Sequence, residues 1–155
     1  MAFVSANGVS LRYEVTGKGP PLCLIIGYRL HGAAWPQVFV ENLARHFSVL
    51  TFDNRGTGQS EKAAHGYGLD VMAADVAGLL DGLGWSSAHV LGFSMGGAIA
   101  QELAIRTPER VNRLVLFATF PGGPFGIPAP WSVQRRLFEV EGPSRPKRPH
   151  ARSGR

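Results

Sequence analysis

The fold of this 155-residue chain is decided by one stretch, which reads Gly92-Phe93-Ser94-Met95-Gly96-Gly97. The residues that lead into it, 88–93, form an apolar run that predicts a strand buried on both faces. The residues that follow, 95–106, predict a helix. A G-x-S-x-G pattern between a buried strand and a helix predicts a sharp turn that exposes the hydroxyl of Ser94 above a sheet.

The chemistry of such a turn explains the residues around the serine. The backbone there is strained and crowded, so the positions two before and two after Ser94 need very small residues, as Gly92 and Gly96 are. Gly97 lets the helix lie close to neighbouring strands. The turn also directs the backbone N–H of Met95 toward the point where a substrate carbonyl develops negative charge. The alternative is a glycine-rich turn in which Ser94 is merely the N-cap, and the flanking elements disfavour it.

The rest of the chain alternates strands with helices. Residues 2–6 and 10–16 alternate polar and apolar side chains on either side of Asn7-Gly8, which predicts an antiparallel hairpin. The fold class is therefore α/β, with a mostly parallel, doubly wound sheet after the N-terminal hairpin. Further strands are predicted at 21–26, 47–52, 88–93 and 113–119, and helices at 35–46, 69–83 and 95–106.

Composition and charge disfavour several classes of protein. The net charge is +5, but residues 141–155 hold five of the sixteen Lys/Arg residues and only one of the eleven Asp/Glu residues. The sequence of the folded part shows no basic patch of the kind that nucleic-acid binders carry. The single cysteine, Cys23, lies in an apolar run, which predicts a small buried hydrophobe in a reducing compartment. With no signal peptide and no apolar stretch of ~18 residues, we expect a cytoplasmic protein without a membrane span.

Four stretches make the chain similar to the α/β-hydrolase superfamily, in its enol-lactonase, methylesterase and cofactor-free haloperoxidase-like branch. The resemblance runs from about Val4 to about Glu141 and is specific for the superfamily but not for a substrate. We expect no cofactor, and the five histidines show no metal-ligand spacing. The four stretches, in the order of the family, are Leu24-Ile25-Ile26-Gly27, residues 53–60, residues 92–97, and Pro108-Glu109-Arg110-Val111.

The resemblance implies that Ser94 is the nucleophile and that two backbone N–H groups form an oxyanion hole. Met95 supplies one, and a residue in the loop after the third strand supplies the other, usually just after a His-Gly pair. Here the strand ends in Ile26-Gly27, so Tyr28 is the candidate. A His31-Gly32 pair five residues later is the alternative if the strand runs longer, and the end of the apolar run favours Tyr28.

The loop at 53–60 resembles the turn that follows the fourth strand in this family. We expect Asp53 and Arg55 to tie the loop, and Gly56 and Gly58 to permit its bends. A phosphate-binding loop is the alternative, and it is weak because the chain has no G-x-x-x-x-G-K-[ST] pattern.

The acid and the histidine that a serine nucleophile needs are not found. In this fold they follow the serine in the chain. No aspartate follows Ser94, and the only later histidine is His150, in a Pro/Arg-rich tail. The helix glutamates Glu102 and Glu109 are predicted to lie on the surface. The four earlier histidines are predicted to be surface or loop residues, although His31 is placed to line a pocket.

The domain prediction follows from the change in composition along the chain. Residues 1–119 are predicted to be the N-terminal part of a hydrolase core, 120–141 the start of a lid or cap, and 142–155 a disordered basic tail. The abrupt change near Gly142 motivates the hypothesis that the chain is truncated or frame-shifted after about the sixth strand.

The predicted function is that of a serine-type hydrolase acting on a small-molecule ester, lactone or related carbonyl, with little activity in this chain because a base is missing. The alternative is a non-catalytic fragment that binds a partner or aggregates through a sheet edge at 113–119. Nucleic-acid binding through the tail is the weakest interpretation, because the tail lacks interleaved aromatic residues. The sequence leaves the oligomeric state open.

Overall fold

The computed structural model describes residues 2–121 of the chain. The predicted lid and tail, 120–141 and 142–155, lie almost entirely outside the described residues, so these domain limits stay predictions. The strands are β1 (Ala2–Ala6), β2 (Val9–Thr16), β3 (Pro21–Ile25), β4 (Ser48–Phe52), β5 (Ala88–Phe93) and β6 (Val111–Phe117). The helices are α1 (Gln37–Ala44), α2 (Leu69–Gly82) and α3 (Met95–Arg106), with short 3-10 turns at Gly32–Ala34 and Pro108–Arg110.

All six strands belong to one sheet, in the order β1-β2-β4-β3-β5-β6. The strands β4, β3, β5 and β6 run parallel, whereas β1 and β2 are antiparallel to their neighbours. Asn7 and Gly8 both have positive φ, at 48° and 77°, as a tight hairpin turn between right-twisted strands requires. The predicted fold class, a mostly parallel α/β sheet that begins with an antiparallel hairpin, is confirmed.

Some element limits differ from the predicted ones by one or two residues. The first parallel strand stops at Ile25, and α1 begins only at Gln37 because Pro36 before it has an extended backbone. The last strand spans Val111–Phe117 instead of 113–119, since Ala118 has a φ of 48° and turns the chain out of the sheet. This turn brings the next residue, Thr119, back toward β5.

Helices cover both faces of the sheet. α2 and α3 lie on one face, where strand residues such as Cys23, Ile25 and Phe52 are fully buried against them. α1 lies on the other face and packs on the alternate side chains Leu22 and Leu24. The longest helix within residues 2–121 is α2, which has 14 residues. No helix in this range is both long enough and apolar enough to cross a bilayer.

The thiol of Cys23 is expected to be unreactive in the native protein. The residue is fully buried in β3, and burial raises the pKa of the thiol to about 12, so almost no thiolate is present near neutral pH. A disulfide reagent such as Ellman's reagent should modify no thiol in the native chain and one after denaturation in guanidinium. Rapid modification of the native protein would contradict the buried position.

Candidate active site

Ser94 is the single residue between β5 and α3, and its backbone adopts φ 54° and ψ −123°. A positive φ at a residue with a side chain is unusual and costs on the order of 1–3 kcal/mol. The side chain is half-buried and makes no capping hydrogen bond to α3. The N-cap interpretation of Ser94 therefore lacks the hydrogen bond that it requires.

Three hydrogen bonds hold the main chain of Ser94 in this conformation. Its N–H donates to the carbonyl of Phe117 at 3.0 Å. Its carbonyl accepts from the Thr119 hydroxyl at 2.6 Å and from the Gly97 N–H at 2.9 Å. One of the three joins Ser94 to Phe117, the last residue of β6, and another joins it to Thr119, two residues further on, so the strained turn depends on this neighbouring segment as well as on its own sequence.

The three glycines predicted around Ser94 lie where no side chain fits. A Cβ at Gly92 would lie 2.5 Å from the Gly96 carbonyl oxygen, and one at Gly97 would lie 2.5 Å from the Thr119 Cβ. A Cβ at Gly96 would overlap the carbonyl oxygen of Ile25 in β3. The turn can close only because these positions carry hydrogen alone.

The residues after β3 lie directly beside the turn. A Cβ on Gly27 would be 3.1 Å from the Cβ of Ser94, which shows how closely this backbone approaches the serine. Tyr28 follows at once, on the same loop. Its backbone is thus placed near Ser94 and Met95, the latter at the first position of α3, where the helix offers no internal acceptor for the N–H.

The alternative pair, His31-Gly32, lies against the end of β4 and the residue that follows it. The Gly32 N–H donates to the Asp53 carboxylate at 2.7 Å, and the position of its missing Cβ is 2.9 Å from the Phe52 carbonyl oxygen. His31 is exposed and lines a small cavity that also includes Asp53 and Arg12. The strand does not run longer than predicted, which was the condition for this pair to serve the site.

One cavity, with a volume of about 370 Å³, joins the two candidate oxyanion donors. A larger groove of about 570 Å³ lies along α2 and α3, and none of the predicted site residues lines it. The smaller cavity is therefore the relevant one for chemistry at Ser94. Its lining includes Tyr28, Arg29, Thr57, Tyr67, Met72 and Met95.

The loop after β4 is tied as the sequence predicts. The Asp53 carboxylate accepts hydrogen bonds from the backbone of Gly32 and from that of Gln59 at 2.8 Å. Gly56 and Gly58 have φ of 77° and 50°, so both bends use conformations that favour glycine. The structural role predicted for this loop is confirmed, and the loop forms one wall of the cavity beside Ser94.

Sequence reasoning missed the partner of Arg55. Its guanidinium forms a two-point ion pair with Asp75 of α2, and both side chains are nearly fully buried. A further N–H donates to the Gly66 carbonyl at 2.8 Å. The hydrogen bonds to Asp75 raise the pKa of Arg55. An aspartate among the inward-facing residues of a helix, beside Met72 and Val76, was the available clue to a buried partner.

No general base accompanies Ser94 within residues 2–121: no histidine or carboxylate there hydrogen-bonds to its hydroxyl. His89 lies on β5 with its ring 5.8 Å from that of Phe47, and Glu102 pairs with Arg106 on the surface of α3. The same residues contain no cluster of three or more potential metal ligands. Glu139, Glu141 and His150 lie outside the described residues.

The strand order and the strand-to-helix turn define a class, that of the α/β hydrolases, and comparison with known proteins agrees. A family model described as alpha/beta hydrolase fold matches residues 20–148. Rhodomycin D methylesterase DnrP of Streptomyces peucetius is 46% identical over 101 residues, which are 62% of this chain and 34% of that protein. The soluble epoxide hydrolase of Corynebacterium sp. strain C12 is 32% identical over 142 residues, which are 88% of this chain and 49% of that protein.

A solved structure gives the same result. The enol-lactonase from Burkholderia xenovorans LB400 superposes with a TM-score of 0.74 at 32% identity, over 77% of this chain and 47% of that one. The chain belongs to the α/β-hydrolase fold family, and the resemblance drawn from the sequence is confirmed. It spans between about a third and a half of the length of these relatives.

Proposed function

We propose that this chain carries the nucleophile of a serine-type hydrolase that acts on an ester, a lactone or a related carbonyl compound. The observation that carries the proposal is the backbone of Ser94, held at φ 54° between a parallel strand and a helix by hydrogen bonds from β6. Strain of this kind persists where the surrounding structure enforces it, and it is concentrated at functional sites. A methylesterase and an enol-lactonase among the relatives support this substrate class.

The proposed mechanism uses the hydroxyl of Ser94 and two backbone N–H groups near it. The Ser94 hydroxyl oxygen attacks the carbonyl carbon, and the N–H groups of Met95 and Tyr28 stabilise the oxyanion that forms. A general base, which residues 2–121 do not supply, takes the serine proton and returns it to the leaving oxygen as the C–O bond of the ester breaks and the acyl-enzyme forms. Water then cleaves the acyl-enzyme and releases the acid.

The 155-residue chain is expected to turn over slowly. A serine hydroxyl is a weak nucleophile without a neighbouring base, and oxyanion stabilisation alone leaves only residual catalysis. Within the sequence, no aspartate and only one histidine, His150, follow Ser94. We therefore expect p-nitrophenyl acetate hydrolysis by the chain to exceed that of a Ser94→Ala variant only slightly. Rapid, Ser94-dependent turnover would show that the chain supplies a base.

A fluorophosphonate probe tests the nucleophile itself. Phosphonylation at high probe concentration should be confined to the peptide that contains Ser94 and should be absent in Ser94→Ala. Ser86→Ala is the matched control, because Ser86 is exposed but lies before β5, away from the turn. Mass spectrometry of the digested protein locates the adduct. An adduct on other serines with none on Ser94 would contradict the assignment.

A second candidate function, binding through the sheet edge, is favoured by the exposure of β6. Val115 and Phe117 are 51% and 60% exposed although they lie in an apolar strand. Within residues 2–121 β6 is an edge strand, and such a strand offers unpaired backbone groups and apolar side chains to another chain. Size-exclusion chromatography should show self-association that Val115→Lys weakens. Ile105→Lys, at a 75% exposed apolar position on α3, should leave it unchanged, and a monomeric wild-type chain would contradict this candidate.

A further inference from the structure

We infer that the cavity beside Ser94 selects substrates that carry a carboxylate, and that Arg29 is the residue that binds it. The inference rests on the hydrolase function proposed above. It concerns the class of substrate and a specificity-determining residue that the mechanism does not use.

The first observation is the position of Arg29. It follows Tyr28 and lines the same 370 Å³ cavity as Met95, the residue directly after Ser94. A substrate in this cavity would therefore lie between Arg29 and the start of α3. The surrounding lining is partly apolar, with Tyr67 and Met72. Arg29 is exposed, and its guanidinium can form charge-assisted hydrogen bonds to an anion, which are stronger than hydrogen bonds between neutral groups.

The second observation is the backbone of Arg29. It occupies the third position of a turn closed by the Leu30 N–H and the Gly27 carbonyl at 3.3 Å, and its φ is 59°. Glycine or asparagine is the ordinary residue at such a position, and another side chain there costs about 1–2 kcal/mol. Glycine at this position would make the turn more stable. The fold of the loop therefore does not explain the arginine, and we attribute its presence to a role of the side chain.

The third observation is the charge balance of the cavity. Among residues 2–121, two arginines line it and no aspartate or glutamate does. The guanidinium of Arg55 already donates hydrogen bonds to Asp75 and to the Gly66 carbonyl. Arg29, by contrast, forms no ion pair or hydrogen bond with any of residues 2–121. The described wall therefore has one uncompensated positive charge beside the proposed oxyanion hole.

The chemistry of this arrangement specifies the substrate. A planar guanidinium binds a carboxylate through two parallel hydrogen bonds, and the apolar walls suit a carbon chain. The expected substrates are thus half-esters of dicarboxylic acids, or lactones that carry a free acid. The carboxylate would orient the substrate, and the ester or lactone carbonyl would remain available to Ser94.

The test measures binding and not turnover, so its result can be interpreted even if Ser94 proves to be unreactive. The full chain with Ser94→Ala is labelled with 15N and titrated with monomethyl glutarate, an anion, and with dimethyl glutarate, its neutral counterpart. The half-ester should bind about tenfold more tightly or better, with shifts at the amides of Tyr28 and Met95. Arg29→Gln should bring the two affinities together, and Lys18→Gln, which removes an exposed charge in the turn before β3, should not.

A glycine variant separates binding from folding. Arg29→Gly relieves the positive φ, so this variant should be at least as stable as the parent chain while it loses the preference for the anion. Equal binding of the two glutarate esters by the parent, or no binding of the half-ester, would overturn the inference. So would a preference that survives in both Arg29 variants, or shifts confined to residues away from the cavity.

Discussion

Replacement of Asp75 by alanine is expected to destabilise the fold by about 3–5 kcal/mol. The carboxylate makes two hydrogen bonds to the Arg55 guanidinium, and the two side chains are only 3% and 4% exposed. Removing it leaves a buried cation without its counter-charge, with only the hydrogen bond to the Gly66 carbonyl remaining. Because domains of this size are stable by only about 5–15 kcal/mol, the variant should approach unfolding at ambient temperature. Urea denaturation followed by circular dichroism measures the loss.

A second ion pair of the same helix provides the control. Asp81 pairs with Arg110, but its side chain is 65% exposed, so Asp81→Ala should cost less than about 1 kcal/mol. The double variant Arg55→Met/Asp75→Leu should recover much of the stability, because it removes both buried charges together. A loss for Asp75→Ala no greater than that for Asp81→Ala would show that the pair is not buried in solution.

Gly96→Ala is expected to lower stability by about 1–3 kcal/mol, although alanine in a helix is normally the better residue by about 0.5–1 kcal/mol. The added methyl group would overlap the carbonyl oxygens of Ile25 and Ile26, which belong to main chain that cannot rotate aside. The helix would have to move away from β3, and the turn at Ser94 would move with it.

Gly68→Ala is the matched control for this substitution. Gly68 has a φ of −69°, and a Cβ there would meet only the tip of the Asp70 side chain, which can move. The midpoints of urea unfolding, at unchanged slope, should therefore place Gly96→Ala well below Gly68→Ala. A Gly96→Ala variant as stable as the parent chain would contradict the close approach of α3 to the carbonyl oxygens of Ile25 and Ile26.

Much of the fold could be predicted because its determinants are local in the sequence. The hairpin depends on the Asn7-Gly8 dipeptide, the parallel strands on continuous apolar runs, and the turn on glycines two residues either side of Ser94. In each case a local sequence pattern indicates the conformation, although distant contacts also support the turn at Ser94, and the order of strands and helices then limits the topology.

What could not be predicted depends on contacts between distant segments. Arg55 and Asp75 are 20 residues apart, and Thr119 reaches Ser94 across 25. Periodicity reports which face of an element is buried, but not which polar group on another element meets it. The positive φ of Arg29 is a further example, because neither glycine nor asparagine stands at the third position of that turn.

The hydrogen bonds that link Ser94 to Phe117 at the end of β6, and to Thr119 just after it, make the outermost described strand part of the support of the strained turn. Edge strands open more readily than central ones, and each opening of β6 would free the Ser94 amide for exchange with deuterium while the strained turn relaxes. The lifetime of the strained Ser94 conformation would then equal the interval between such openings. Under the proposed function, a ligand that clamps this strand would accelerate acylation without touching the substrate.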